Sequence, residues 1–230
     1  MLDVIVFAPH PDDAELGCGG AIVKGTQMGL SFGIIDLTAG EMGTWGDAET
    51  RLKEAEKARE IMGVKIRENL RFPDAFLEVN KETVLAVANK IRQYRPKIIL
   101  APYWEDRHPD HVATSLIVTK AYHYAKLRKI KLDFPEYRAK QLIYYELNQP
   151  FTPSFIMDIS DVFEKKMEAI MAYKSQFKRF VENPNDKSKS YIRFRFFKKS
   201  MYYGSLIGAT YGEPFLLKTP LKLRDWNALL

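Results

Sequence analysis

Two short segments, far apart in the chain, hold most of the side chains that could bind a metal ion. His10-Pro11-Asp12-Asp13 and His108-Pro109-Asp110-His111 each follow a short apolar run, and together they contain three of the four histidines. Two imidazoles and one carboxylate, from His10, His111 and Asp13, form the ligand set of a catalytic zinc site that keeps one position for water. Zinc lowers the pKa of bound water towards 7 and polarises a carbonyl, so the pattern predicts a hydrolase.

The other polar residues of the two segments are suited to proton transfer. Asp12, beside a predicted ligand, is the predicted general base for the water molecule. His108 lies one helical turn before His111 and is predicted to protonate the leaving nitrogen or to stabilise the oxyanion. Asp110 is predicted to orient His108 by accepting its second ring proton. The fourth histidine, His123, lies between two tyrosines of a predicted helix and is expected only to pack or to face solvent.

The apolar pattern predicts a scaffold that brings the two segments together. Short β-branched runs alternate with stretches of helical periodicity, as in parallel βαβ units. Predicted strands cover 2–7, 31–37, 68–72, 97–101, 141–146 and 155–159, and predicted helices cover 15–28, 47–62, 81–94, a segment opening at residue 109, a segment from 160 or 161 to 173, and 191–206. Residues 175–190 show no clear periodicity, and 212–222 are predicted to be loop or short strand.

This alternation predicts the fold class α/β, a Rossmann-like three-layer sandwich with a mainly parallel sheet, in one domain over residues 1–230. In open sheets of this kind, ligands bind outside the carboxyl ends of the strands where the strand order reverses. Both histidine segments follow predicted strand ends. We therefore expect them to meet.

Composition narrows the class of protein. With 46% hydrophobic and 28% charged residues, the chain resembles ordinary globular proteins. No apolar run approaches the roughly 18 residues of a membrane-spanning helix, and the N-terminal run lacks the flanks of a signal peptide, so a cytoplasmic location without membrane contact is expected. The single cysteine, Cys18, excludes an intramolecular disulfide; its glycine neighbours predict a small packed residue rather than a metal ligand.

Charge is distributed unevenly along the chain. Residues 1–119 carry 14 Lys and Arg against 18 Asp and Glu, whereas residues 120–230 carry 21 against 11. Basic clusters at 187–189 and 193–199 could attract an anion, and an RNA-binding role would predict an affinity that falls with salt. No known nucleic-acid motif accompanies this charge, so a solvated basic face, with no nucleic-acid partner, is the plainer interpretation.

Two alternatives use the same residues differently. Two histidines and a carboxylate also form the facial triad of iron(II) oxygenases, but the commonest of those space the first ligands His-x-Asp on an all-β scaffold, whereas this chain has His-x-x-Asp in an α/β pattern. A non-catalytic metal-binding or nucleotide-binding module is the second alternative. No Gly-x-Gly-x-x-Gly follows the first predicted strand, which disfavours its nucleotide version.

At these residues the chain resembles the LmbE/PIG-L family of metal-dependent N-acetylglucosaminyl deacetylases. The matching segments are 10–15 with the glycines at 17, 19 and 20, then 105–111, 153–160, 173–177 and 208–215. The resemblance points to the bacillithiol-biosynthesis branch, which removes acetate from N-acetylglucosaminyl-malate. It implies Zn²⁺, or another divalent metal such as Fe²⁺, on His10, Asp13 and His111, with Asp12 as base and His108 as acid.

The resemblance also concerns substrate and assembly. It implies a substrate-contacting arginine, for which Arg51 is the matching position, and a small-molecule N-acetyl sugar conjugate as substrate. Where relatives often have Gly-Thr-Arg-Gly, this chain has Gly43-Thr44-Trp45-Gly46. Trp45 is predicted either to stack on a sugar face or to pack, whereas a loop arginine would have been a natural partner for an acidic aglycone. Family members often form trimers or hexamers, which implies a homo-oligomer here.

Overall fold

The computed structural model describes residues 1–181 and 197–221, without the side chains of 178–181. The strands are β1 Val4–Ala8, β2 Phe32–Thr38, β3 Ile66–Phe72, β4 Ile98–Pro102, β5 Gln141–Tyr145, β6 Phe155–Asp158 and β7 Gly212–Leu216. The helices are α1 Asp13–Gln27, α2 Ala48–Met62, α3 Lys81–Tyr94, α4 Pro109–Tyr124, α5 Phe163–Met171, α6 Lys174–Val181 and, within the described residues, α7 at 197–205.

The seven strands form one sheet in the order β3-β2-β1-β4-β5-β7-β6. Strands β1 to β5 pair in parallel, and β7 lies antiparallel to both of its neighbours. One apolar cluster packs α1, α2 and α5 against one face, and a second packs α3 and α4 against the other. The predicted three-layer α/β sandwich is confirmed, and its strand order reverses between β1 and β4.

Local sequence explains the elements nearest that reversal. All residues of β1 and β2 are buried, as expected of central parallel strands with helices on both faces. Asp47 caps α2 by accepting a hydrogen bond from the Thr50 N–H at 2.7 Å, and Gly63 ends the helix with a φ of 71°. This backbone conformation favours glycine, because a glycine residue has no Cβ that could clash with the backbone.

Helix α1 is broken at Cys18, which is fully buried and has the non-helical φ of −143°. The Glu213 carboxylate of β7 accepts hydrogen bonds from the N–H groups of Gly20 and Ala21 just beyond the break, at 2.8 and 2.7 Å. Lys166 of α5 pairs with the same carboxylate at 2.7 Å. Backbone groups that the break releases are thus bound by a buried ion pair.

The late elements differ most from expectation. Helix α6 occupies residues for which no period was predicted, and its Phe177 side chain packs in the core. The segment predicted as loop or short strand contains a short strand at 212–216, β7, which lies between β5 and β6, a position that was not predicted; residue 222 lies outside the described residues. Of the two basic clusters, 187–189 lies outside the described residues, and so do residues 193–196 of the cluster at 193–199. No helix within 1–181 or 197–221 is long and apolar enough to cross a membrane.

Candidate active site

The two predicted segments meet at the carboxyl edge of the sheet, between β1 and β4. His10 follows β1, and His111 lies in the first turn of α4, after β4. The Asp13 Oδ2 atom lies 2.9 Å from His10 Nδ1 and 3.4 Å from His111 Nε2. All three side chains are buried. One oxygen of Asp13 therefore lies in contact with both predicted imidazole ligands.

Their spacing is suited to a tetrahedral metal ion. Nitrogen and oxygen ligands about 2.0–2.1 Å from one zinc ion lie about 3.3 Å from each other, close to the two distances observed. Within the described residues, the groupings whose donor atoms all lie within 4.8 Å of one another are His10 with His108 and His111, and His10 with Asp74 and Asp110. The predicted set with Asp13 is not one of these two groupings, and its support comes from the contacts of Asp13 with each imidazole. The engagement of each ring nitrogen distinguishes between these sets.

Each candidate ligand histidine has a carboxylate at its second nitrogen. His10 Nε2 lies 3.0 Å from Asp74 Oδ1 and 3.2 Å from Asp110 Oδ2, and His111 Nδ1 lies 3.3 Å from Asp106 Oδ1. Metal-binding histidines commonly donate their other N–H to such a carboxylate, which fixes the tautomer. This arrangement leaves His10 Nδ1 and His111 Nε2 directed at Asp13, and it favours the predicted set over the other two groupings.

The electrostatics of the cluster are suited to a cation. Five carboxylates, from Asp12, Asp13, Asp74, Asp106 and Asp110, surround three imidazoles and one guanidinium. Burial alone would lower the pKa of His10, yet its carboxylate partners raise that pKa well above the ordinary value. Burial would raise the pKa of Asp13, but the charges and hydrogen bonds of His111 and His10 lower it to about 2. A divalent ion would offset this surplus of negative charge.

Asp12 lies beside the cluster in a constrained conformation. Its φ of 114° falls in the left-handed region, where a residue other than glycine stores on the order of 1–3 kcal/mol of strain. Arg51 Nη2 lies 3.1 Å from Asp12 Oδ2 and donates a 2.6 Å hydrogen bond to the Pro11 carbonyl. Burial raises the pKa of Asp12 to about 7, although the charge of Arg51 acts to lower it. Strain, burial and a fixed partner together are typical of a functional carboxylate.

The two predicted substrate-binding residues lie in different environments. Arg51 is buried, and besides its contacts around Asp12 it donates to the Gly40 carbonyl at 3.2 Å. Its Nε has no hydrogen-bond partner among the described residues. Trp45 is 57% exposed on the loop after β2, where its carbonyl accepts a 2.6 Å hydrogen bond from Gln176. Substrate contact by Arg51 and Trp45 stays a prediction.

The structure corrects the predicted partner of Asp110. His108 caps α4 through its ring, because His108 Nδ1 accepts a 3.2 Å hydrogen bond from the backbone N–H of Asp110. The Asp110 carboxylate instead contacts His10 and accepts from the N–H groups of Ala75 and Leu77 at 2.8 and 3.3 Å. The His108 ring nitrogen that faces Asp110 is therefore bound to its backbone N–H and not to its carboxylate. The His108 ring also stacks on the His111 ring, with ring centroids 4.6 Å apart.

Three residues of the site have no predicted role: Asp74, Asp106 and Asn148. Asp74 follows β3, and its position just past a predicted strand could have indicated it. Asp106 lies inside the 105–111 segment, and its carboxylate accepts hydrogen bonds from the His108 N–H and from both nitrogens of Asn148, at 2.8 to 3.0 Å. Asn148 lies beyond β5 with no local signal. His123 is exposed, as expected.

Comparison with known proteins is consistent with this geometry. The family model for PIG-L, the GlcNAc-PI de-N-acetylase, matches residues 5–122. A diacetylchitobiose deacetylase of Thermococcus kodakarensis is 32% identical over 228 residues, which cover 91% of this chain and 80% of the relative. A probable N-acetyl-alpha-D-glucosaminyl L-malate deacetylase 2 of Bacillus cereus is 32% identical over 202 residues, covering 81% and 89%.

Similar proteins also include a solved structure and an enzyme that is named for a different reaction. The crystal structure of the conserved protein TT1542 from Thermus thermophilus is 41% identical, with a TM-score of 0.89 and coverage of 98% of this chain and 99% of that one. A 4-oxalmesaconate hydratase of Pseudomonas putida is 25% identical over 189 residues, covering 75% and 73%. The matched family model and the relatives at 32% identity show that the chain belongs to the PIG-L/LmbE family of deacetylases.

Proposed function

We propose that this chain is a metal-dependent hydrolase that removes the N-acetyl group from an N-acetylglucosamine conjugate. The observation that carries the proposal is the contact of Asp13 with both His10 and His111, in a chain that also holds the Asp12 carboxylate in a strained conformation. Three ligands, not four, are typical of a catalytic site that keeps a position for water. Family membership supports amide hydrolysis, since the relatives at 32% identity are named deacetylases.

Zn²⁺ is the proposed cofactor, with Fe²⁺ as the alternative, held by His10 Nδ1, Asp13 Oδ2 and His111 Nε2. When bound, such an ion supplies a Lewis acid that activates water and polarises the acetyl carbonyl. The protein's own contribution is to hold the ligands in place. Asp74 and Asp110 fix the ring of His10, and Asp106 fixes that of His111.

Asp12 is the proposed general base and proton carrier. Its carboxylate accepts a proton from the attacking water and returns it to the nitrogen of the leaving amine. Arg51 binds Asp12 Oδ2 and so keeps the carboxylate in one orientation during both transfers. A base whose position is fixed by a buried partner loses little entropy on reaching the geometry for reaction.

His108 is the proposed hydrogen-bond donor to the acetyl oxygen. Its Nδ1 accepts the Asp110 backbone N–H, so the ring proton lies on Nε2. His108 is also more accessible than the other two imidazoles of the site, which are only 7% and 5% exposed. A fixed N–H at this place stabilises negative charge that develops on the carbonyl oxygen. The geometry therefore favours oxyanion stabilisation over the proton-donor alternative.

For the substrate we propose N-acetylglucosaminyl-malate, as in bacillithiol biosynthesis. The Bacillus cereus relative supports this choice. The Thermococcus kodakarensis relative, at the same identity, supports diacetylchitobiose as the alternative. Both substrates place an acetamide on a pyranose ring and differ in what is attached to that ring. Contact with the conjugate by Arg51 and Trp45 is part of the proposal.

Acetate release from the purified, zinc-loaded chain tests the function. The substrates are N-acetylglucosaminyl-malate, diacetylchitobiose and free N-acetylglucosamine. We expect acetate from at least one conjugate, loss of that activity after treatment with a chelator, and its return on adding zinc. Failure to release acetate from any of them, with zinc bound, would refute the proposal. Hydration of 4-oxalmesaconate by that preparation would then assign the site to the other reaction found among relatives.

A further inference from the structure

A single exposed aromatic side chain lies in the turn that supplies Asp74. Asp74 and Leu77 are 6% and 7% exposed, whereas Phe76 between them is 70% exposed. Asp74 reaches His10, and Leu77 packs in the core with α3 and α4. The turn therefore directs Asp74 and Leu77 inward and leaves the phenyl ring in solvent.

The backbone on both sides of Phe76 is bound to the candidate active site. The Asp110 carboxylate accepts hydrogen bonds from the N–H groups of Ala75 and Leu77, and the Oδ2 atom that binds Ala75 also lies 3.2 Å from His10 Nε2. Ala75 has a φ of 64°, a left-handed conformation for a residue other than glycine. The position of the Phe76 backbone is thus fixed by the carboxylate that orients His10.

A second exposed apolar side chain is held by the same turn. Met42, on the loop after β2, is 61% exposed, and its N–H donates a 2.9 Å hydrogen bond to Asp74 Oδ2. Glu41 accepts the N–H of Asp74 at 2.8 Å and so joins the two loops from the other side. Met42 and Phe76 therefore extend from neighbouring backbone segments at the carboxyl edge of the sheet, where ligands bind in this class of fold.

We propose that Phe76 is a substrate-binding residue that packs against the pyranose ring of the substrate. One face of a pyranose presents C–H groups, which are complementary to an aromatic ring. A phenyl ring left 70% exposed contributes little burial to folding. Its fixed backbone would lower the entropy lost on binding. This inference rests on the proposed function and adds the residue that recognises the sugar.

Steady-state kinetics of Phe76→Ala on the conjugate that releases acetate tests the proposal. Loss of one aromatic contact is expected to raise KM about three- to tenfold, with kcat within about twofold of the parent because no reacting group is touched. Phe76→Trp should retain the parental KM, since any aromatic ring can pack on the sugar. Met28→Ala removes another exposed side chain, 74% exposed at the far end of α1, and is the matched control.

Binding of the intact conjugate to chelator-treated protein, followed by calorimetry, gives a readout that does not depend on turnover. The same three- to tenfold weakening is expected for Phe76→Ala. An unchanged KM and affinity in an active Phe76→Ala protein would overturn the role of Phe76 and leave the proposed function intact. A change in assembly size without a change in KM would assign Phe76 to a subunit contact and would also overturn it. Absence of acetate release by the parent protein refutes the proposed function instead.

Discussion

Replacing Asp106 by alanine tests how the site orients its ligands. The side chain of Asp106 is almost fully buried and accepts four contacts: from the His108 N–H, from both nitrogens of Asn148, and from His111 Nδ1 at 3.3 Å. Asp106→Ala removes all four contacts and leaves every proposed metal ligand unsubstituted. The imidazole of His111 then loses the acceptor that fixes its tautomer and ring angle.

Asp106→Ala is expected to lower two separate quantities, the affinity for the metal and the free energy of unfolding. Loss of a carboxylate that orients a metal-bound histidine costs about 10–100-fold in metal affinity, or about 1.4–2.7 kcal/mol. Asp106→Ala also removes two hydrogen bonds to backbone N–H groups, of His108 and Asn148, in part-buried surroundings, and a typical hydrogen bond contributes about 0.5–1.5 kcal/mol to stability. We therefore expect the metal-free variant to lose about 1–3 kcal/mol of unfolding free energy, and zinc affinity to fall in addition.

Chelator competition measures the zinc Kd, and thermal unfolding of the metal-free protein measures stability. Asp106→Asn keeps one acceptor oxygen but places an amide against the donors of Asn148, so an intermediate loss is expected. Asp161→Ala is the control, because that carboxylate is exposed and its contacts among the described residues are the Lys24 ammonium and its own backbone. A zinc Kd within about twofold of the parent in a destabilised Asp106→Ala protein would refute the orienting role and leave a purely structural one.

Two further pairs of variants separate chemistry from packing. Asp12→Asn should keep its zinc and lose about 10²–10⁴-fold in turnover, the usual contribution of a general base, whereas Asp13→Ala should lose both zinc and turnover. Metal analysis of both proteins and measurement of their acetate-release rates check this expectation. Parental activity in Asp12→Asn would rule out Asp12 as the general base. Gly17→Ala should lower the free energy of unfolding by about 1–3 kcal/mol, because its Cβ would lie 2.3 Å from the Tyr145 ring. Gly19→Ala, whose Cβ would find its nearest neighbour at 3.4 Å, should be nearly neutral in the same denaturant titration, and equal losses in the two variants would contradict the packing argument.

Much of the scaffold could be predicted from local patterns. The β1 and β4 strands are short apolar runs, and the residues that follow them occupy the carboxyl edge in any parallel sheet. His10 and Asp13 are close in sequence, so a single turn brings them together. Helix α6 is short, and its apolar residues Phe177, Phe180 and Val181 cover a single helical repeat, which is too few to set a period against the polar stretch that follows. The position of β7 in the sheet could not be predicted, since this strand pairs with β5 and β6, which are far away in the chain.

The amino-acid sequence alone therefore specified the kind of donor groups and the edge of the sheet at which they gather, because strand ends and helix starts are local properties. Which atoms face each other is a matter of tertiary packing. Asp74 and Asp106 come from separate loops to bind opposite imidazoles, Asp110 contacts His10 instead of His108, and Arg51 is buried against Asp12. Those pairings depend on how loops from different strands pack together, and no local period or spacing encodes that arrangement.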